Sequence, residues 1–133
     1  MKATKRLQVP GLPLNQASNK SPAGIKRGEV YLVELSPTRG SELRDPHPAV
    51  VISNDTINAA AAVVIVCPIT SGPRPSPIHI RLSKGEGGLT KDCIAHCGQV
   101  RAVDKERLSV KRGDLPRATM ASIDKGLKLA FSL

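Results

Sequence analysis

Apolar residues fall into five short blocks before the period lengthens near the C-terminus. Residues 30–35 read as a strand bounded by Gly28 and by Ser36-Pro37. Residues 49–53 read as a second, aliphatic up to Ser53, and residues 63–69 as a third, buried on both faces. Residues 78–82 alternate apolar positions with His79 and Arg81, and residues 93–103 read as one long, bent strand. The loops between them (36–48, 54–62, 70–77, 83–91) carry most of the turn-forming residues, and the Ala-rich stretch after Asn54-Asp55 suits one or two helical turns. Short strands joined by Gly/Pro loops predict a small antiparallel barrel.

The last segment changes period. Asp114 is placed to cap a helix, and Pro116 sits in its first turn, where a missing N–H is harmless. Met120, Ile123, Leu127, Ala130 and Phe131 then recur on one helical face. Gly126 inside that run costs about 1 kcal/mol relative to alanine, so packing has to hold the helix there. The fold class expected is mainly β with α: a small antiparallel barrel with a C-terminal helix lying across it.

Composition sharpens this picture. The 133 residues suit one domain, and with only Tyr31 and Phe131 aromatic the core must be aliphatic. Twenty Lys/Arg against eleven Asp/Glu leave a net charge of +9, which suggests a polyanionic partner. The scarcity of aromatics argues against a reader that stacks bases on aromatic platforms. Residues 1–27 hold six of the bases and no acid, with Pro10, Pro13 and Pro22, and read as a basic, flexible N-terminal extension. Residues 28–133 are then the folded domain, carrying only +3. Three cysteines without an export signal point to a reducing, cytoplasmic setting, and no apolar run is long enough to span a membrane.

Candidate chemistry is concentrated in three places. Arg39, Arg44 and His47 share one loop with Ser41, Glu42 and Asp45; Thr70, Ser71 and Arg74 leave the third strand; Gln99 and Arg101 lie in the last long strand. Arginines, hydroxyls and a histidine on converging loops make a phosphate-handling surface, although the same residues also fit solvated loop charges. Cys93, His96 and Cys97 invite a zinc reading. In a strand, however, the two thiols would lie ~13 Å apart on one face with His96 on the other, so no metal is expected there.

Several segments together are similar to the MazF/PemK family of bacterial toxins. They are Arg27-Gly28-Glu29-Val30-Tyr31, Gly40-Ser41-Glu42, Pro48-Ala49-Val50-Val51-Ile52-Ser53-Asn54-Asp55, Pro68-Ile69-Thr70-Ser71 and Gln99-Val100-Arg101-Ala102-Val103-Asp104-Lys105-Glu106-Arg107-Leu108, followed by the terminal helix. The resemblance runs over residues 27–133. It implies an SH3-like barrel, a homodimer, and metal-independent, cofactor-free endoribonucleolytic cleavage of single-stranded RNA. It also implies an acidic antitoxin as partner. In that chemistry the RNA 2′-hydroxyl attacks its own adjacent phosphate, so the protein need only move protons, align the attack and stabilise charge.

The family's central pair is an arginine before the proline that opens the second strand and a threonine that ends the third. Thr70 matches the threonine, and His47 stands where the arginine would be. Histidine titrates near pH 6.5 and suits proton transfer. His47 and Thr70 are therefore the catalytic candidates, with Arg44 (or Arg74) supplying charge. Arg39, Ser41, Glu42, Ser71, Arg74, His79, Gln99 and Arg101 are the RNA-binding candidates. A second reading from a different class is a non-catalytic toxin or binding module on the same barrel, like the gyrase-poisoning toxin CcdB. An RNA-binding barrel with catalysis weakened at His47 is a third.

Overall fold

In the computed structural model the described residues are 24–34, 46–72 and 74–133. Seven strands and two helices are assigned among them. The order is β1 (Glu29–Val33), β2 (His47–Val51), α1 (Asp55–Ala60), β3 (Val63–Thr70), β4 (His79–Leu82), β5 (Cys93–His96), β6 (Arg101–Asp104), β7 (Leu108–Asp114) and α2 (Arg117–Phe131). Every strand pairing is antiparallel, and the sheet runs β4-β5-β3-β2-β1-β7, with β6 alongside β3.

Strand β3 organises the sheet. One of its edges meets β2 through Ala49↔Pro68 and Val51↔Val66. Its other edge meets β6 over Val63–Val66 and then β5 at Ile69 and Thr70. The long strand expected over residues 93–103 is therefore two strands, β5 and β6, separated by a 3₁₀ turn at Cys97–Gln99. The break has a packing cause: Cys97 enters the core completely, and its N–H bonds to the Ile78 carbonyl at 2.9 Å.

Alternating side chains give the sheet two apolar faces. One gathers Val30, Val50, Cys67, Ile69, Leu82, Ala95 and Cys97 under α2. The other gathers Tyr31, Val33, Ala49, Val51, Val64, Val66, Val103 and Leu108. The expectation that the third strand is buried on both faces fails at its start. Val63 and Ile65 are 38% and 37% exposed, because nothing among the described residues covers that outer face.

Asn54 caps α1 by accepting the Ile57 N–H at 2.9 Å, which confirms the short helix expected there. The buried Asn58 side chain donates to the Ser53 carbonyl, and the Ser53 hydroxyl accepts the Ile65 N–H, fastening α1 to β3. Helix α2 begins at Arg117 with Pro116 as its cap residue, not Asp114, which instead ends β7 and pairs with Lys111. Met120, Ile123 and Gly126 are its buried positions, whereas Ala130 and Phe131 are exposed. Gly126 is required there: a Cβ would lie 2.8 Å from the Cys97 sulfur and 3.2 Å from the Pro77 carbonyl.

Strand β7 lies outside the apolar blocks that mark the other strands. It pairs with β1, and the 3₁₀ turn at Glu86–Gly88 packs against it, with Arg112 donating to the Gly88 carbonyl at 3.1 Å. A Cβ on Gly88 would sit 2.1 Å from the Arg112 carbonyl oxygen. This backbone-to-backbone approach closes the seam that β4 and β7 leave unpaired, making the sheet barrel-like without a complete ladder. Residues 1–23 of the expected extension lie outside the described residues, while Ile25 is buried and Arg27 is bonded to Asp55, Ile52 and Asp124. No described helix is long and apolar enough to cross a membrane.

Candidate active site

Strand register sets which side chains share the candidate site. Pro68 and Thr70 lie on one face of β3. The Ile69↔Ala95 and Thr70↔Ile94 pairings put Ile94 and His96 of β5 on that same face. His79↔His96 and Arg81↔Ile94 continue the row onto β4. His47, the first residue of β2, reaches the same face because Ala49 is opposite Pro68 and side chains repeat every second residue. The result is a cavity of about 820 Å³ between β2, β3, β5 and the start of β6.

His47, Pro48, Pro68, Ile69, Thr70, Ser71, Gly72, Lys91, Cys93, His96, Gln99 and Arg101 line this cavity. Five sequence candidates (His47, Thr70, Ser71, Gln99 and Arg101) are thus brought together. The bases Lys91 and Arg101 and the two histidines face it, and no described carboxylate lines it. A cavity of that composition attracts an anion. The Thr70 hydroxyl donates to the Gly72 carbonyl at 2.9 Å and accepts the Gly72 N–H at 3.4 Å, so a tight turn presets its direction at the end of β3. His47 is held between Pro46 and Pro48, and no hydrogen bond from a described residue restrains its ring.

Other candidates lie elsewhere. Arg74 borders an adjoining smaller cleft with Ser71, Gly72, Arg81, Asp92 and Cys93. His79 stands behind His96, their Nε2 atoms 3.2 Å apart. Arg39, Ser41, Glu42 and Arg44 lie outside the described residues.

Sequence reasoning missed Lys91, Cys93 and His96 as members of the cavity. Cys93 donates its S–H to the Lys91 carbonyl at 3.4 Å, and burial pushes its thiol above the usual range, with Asp92 adding to the shift and Lys91 opposing it. It is a neutral wall at neutral pH, not a nucleophile. Along the chain His96 stands out only beside the two cysteines. In the fold Cys93 and Cys97 enter the core cluster, while His96 takes the opposite face beside Pro68. The Cys67 thiol lies in the core, away from the cavity, where the neighbouring Cys97 and burial push it above its usual value while Cys97 is held below its own.

A family model described as a PemK-like, MazF-like toxin of type II toxin–antitoxin systems matches residues 26–131. Endoribonuclease MazF9 of Mycobacterium tuberculosis is 40% identical over 115 residues, covering 82% of this chain and 98% of its own. Endoribonuclease MazF of Staphylococcus epidermidis is 39% identical over 111 residues, with 82% and 92% covered. Among solved structures, a mycobacterial endoribonuclease in complex with its cognate antitoxin superposes with a TM-score of 0.69 at 24% identity, covering 82% and 96%. A MazE-MazF structure from Deinococcus radiodurans has a TM-score of 0.69 at 19% identity, covering 83% and 97%.

Proposed function

Because the chain belongs to the PemK-like, MazF-like toxin family of type II toxin–antitoxin systems, we propose that it is an endoribonuclease that cuts single-stranded RNA in the cavity between β2, β3 and β5. The observation that carries this reading is the meeting of His47, Thr70, Lys91 and Arg101 in one cavity that no described carboxylate lines. The extent of the likeness to the two curated endoribonucleases supports it.

The chemistry follows from what an RNA phosphate needs. Its own 2′-hydroxyl attacks phosphorus and the 5′-oxygen departs, leaving a 2′,3′-cyclic phosphate and a 5′-hydroxyl. His47 takes the 2′-hydroxyl proton as a base, or returns one to the departing oxygen as an acid, with water serving the other transfer. Thr70, still accepting the Gly72 N–H, turns its hydroxyl proton from the Gly72 carbonyl to a non-bridging oxygen. Arg101 and Lys91 hold the phosphate and stabilise the charge that builds on it. Arg44, three residues before His47 in sequence, adds charge from the same loop. Ser71, Gln99 and Arg74 extend contact to the flanking nucleotides, as do, from the 39–42 segment, Arg39, Ser41 and Glu42, while His79 stands behind His96 and acts through it.

A homodimer, an acidic antitoxin as inhibitor and a cytoplasmic setting belong to the same reading. The family and the antitoxin-bound structures of its relatives support the antitoxin. The test is incubation of a long RNA with the protein in EDTA, followed by mapping of the ends. Scission with 5′-hydroxyl ends is expected, lowered ~100-fold or more in His47→Ala and in Thr70→Ala. Intact RNA, or full rate in both variants, would sink the proposal.

A further inference from the structure

His79 and His96 face each other across β4 and β5, their rings edge to face at 88° with centroids 4.3 Å apart. Their Nε2 atoms are 3.2 Å apart, so one proton can lie between them and not two. On the far side of His79, Nδ1 is 2.8 Å from the Ser76 hydroxyl, which already accepts the Ile78 N–H. That hydroxyl is free to give its own proton to Nδ1. His79 then donates from Nε2 to His96, and His96 keeps its proton on Nδ1, a buried atom with no partner among the described residues.

One added proton fits this hydrogen-bonded chain. It goes to Nδ1 of His79, the Ser76 hydroxyl turns to accept it, and every other bond survives. A second proton would set two N–H groups head to head at 3.2 Å on two cationic rings. The surroundings discourage it further. Arg81 lies on β4, Lys91 precedes β5, and Arg101 and His47 share the cavity with His96, while Arg74 borders the neighbouring cleft. Asp92, the carboxylate among the described residues lining these two clefts, is engaged by Arg81 and by the Lys84 N–H, and Cys93 is a thiol. Helix α2 packs on the opposite side through Gly126, against Ile80 and Cys97; of its charges, Asp124 is paired with Arg27, and Arg117, Lys125 and Lys128 are exposed.

We propose that His79 and His96 act as one proton-sharing unit in the cavity wall, and that its single proton strengthens the hold of the cavity on an RNA backbone phosphate. This rests on the RNA reading above. His96 is a positioning residue here: with Nε2 engaged and Nδ1 enclosed, the unit acts through the charge it places beside the cavity, not through a bond to the substrate. Linkage then requires tighter phosphate binding as pH falls, because the bound anion favours the protonated unit.

Two measurements test this. In the first, ¹⁵N chemical shifts of the imidazoles are followed with pH in the full-length protein without RNA. Two separated steps shared by both rings are expected in the wild type, and a single step for His96 in His79→Gln. Independent single steps in the wild type would overturn the unit. In the second, binding of a 2′-fluoro oligoribonucleotide, which cannot attack its own phosphate, is compared at pH 7.5 and 5.5 at fixed salt. The ratio of affinities is expected to be about fivefold larger in the wild type than in His96→Leu, and equal ratios would overturn the phosphate role. No binding at either pH, with the two-step titration intact, would instead refute the RNA reading and leave the proton-sharing unit standing.

Discussion

Glu29 illustrates how a single residue carries more than its sequence position suggests. Burial by itself would raise its carboxyl, but the Lys111 ammonium at 2.9 Å, the Lys26 N–H and the Tyr31 hydroxyl outweigh burial and hold it below the usual carboxylate range. Burial first, and then the Glu29 carboxylate, raise the Tyr31 hydroxyl above its ordinary value. A lowered carboxyl contributes stability above its unfolded value and loses it as pH falls through the folded one. The wild type should therefore exceed Glu29→Gln by about 1–3 kcal/mol at neutral pH. That gap should close below about pH 4, as urea titrations at several pH values would show. At the proposed catalytic centre, His47→Arg restores the charge that the family places there. It should retain cleavage while losing any acid limb of the pH–rate profile that His47 imposes. The place of Thr70 at the end of β3 was legible because the family resemblance ties one residue type to one strand end. His96 was not, because its role depends on which residue faces it across β4.

Among the elements, helix α2 makes the sharpest claim. Alanine at an ordinary helical position gains about 1 kcal/mol over glycine, yet at Gly126 the new methyl would meet Cys97, Ile80 and the Pro77 backbone at 2.8–3.2 Å. The crowding outweighs the propensity, so Gly126→Ala should lower stability by about 1–2 kcal/mol, read as a reduced midpoint in chemical denaturation. Asn54→Ala, which removes the cap of α1, should cost about 1 kcal/mol by the same measurement. Four of the strands were legible from apolar blocks, since burial leaves a period that does not depend on partners. Strand β7 was not: only Leu108 of its seven residues is buried, and Lys111, Arg112 and Asp114 give it no apolar alternation. It is a strand because β1 offers it a ladder. The break between β5 and β6 was likewise invisible, since Cys97 reads as one more apolar residue until its neighbour in the core is known.

For the molecule as a whole, the +9 charge divides unevenly, with four bases and no acid in residues 1–23. Removing those residues should reduce general RNA affinity and flatten its salt dependence, by up to about 0.7 in log–log slope for each phosphate they neutralise. The cleavage positions should stay the same, because the described lining of the cavity comes from residues 47–101. Binding measured across a salt series, beside end mapping of a long RNA, checks both halves. An unchanged slope would show that the domain's own bases hold the backbone.

The sequence by itself determined the class of fold and the terminal helix, and it singled out Thr70 and His47 as candidates. Each depends on residue type, local period or a motif that stays together along the chain. Tertiary structure alone decided that Lys91, His96 and Arg101 meet them, that Arg74 falls in the next cleft, and that His79 and His96 share a proton's width of space. Those facts follow from strand register. A slip of one residue would turn each of these side chains to the opposite face, and register is set by packing between segments distant along the chain.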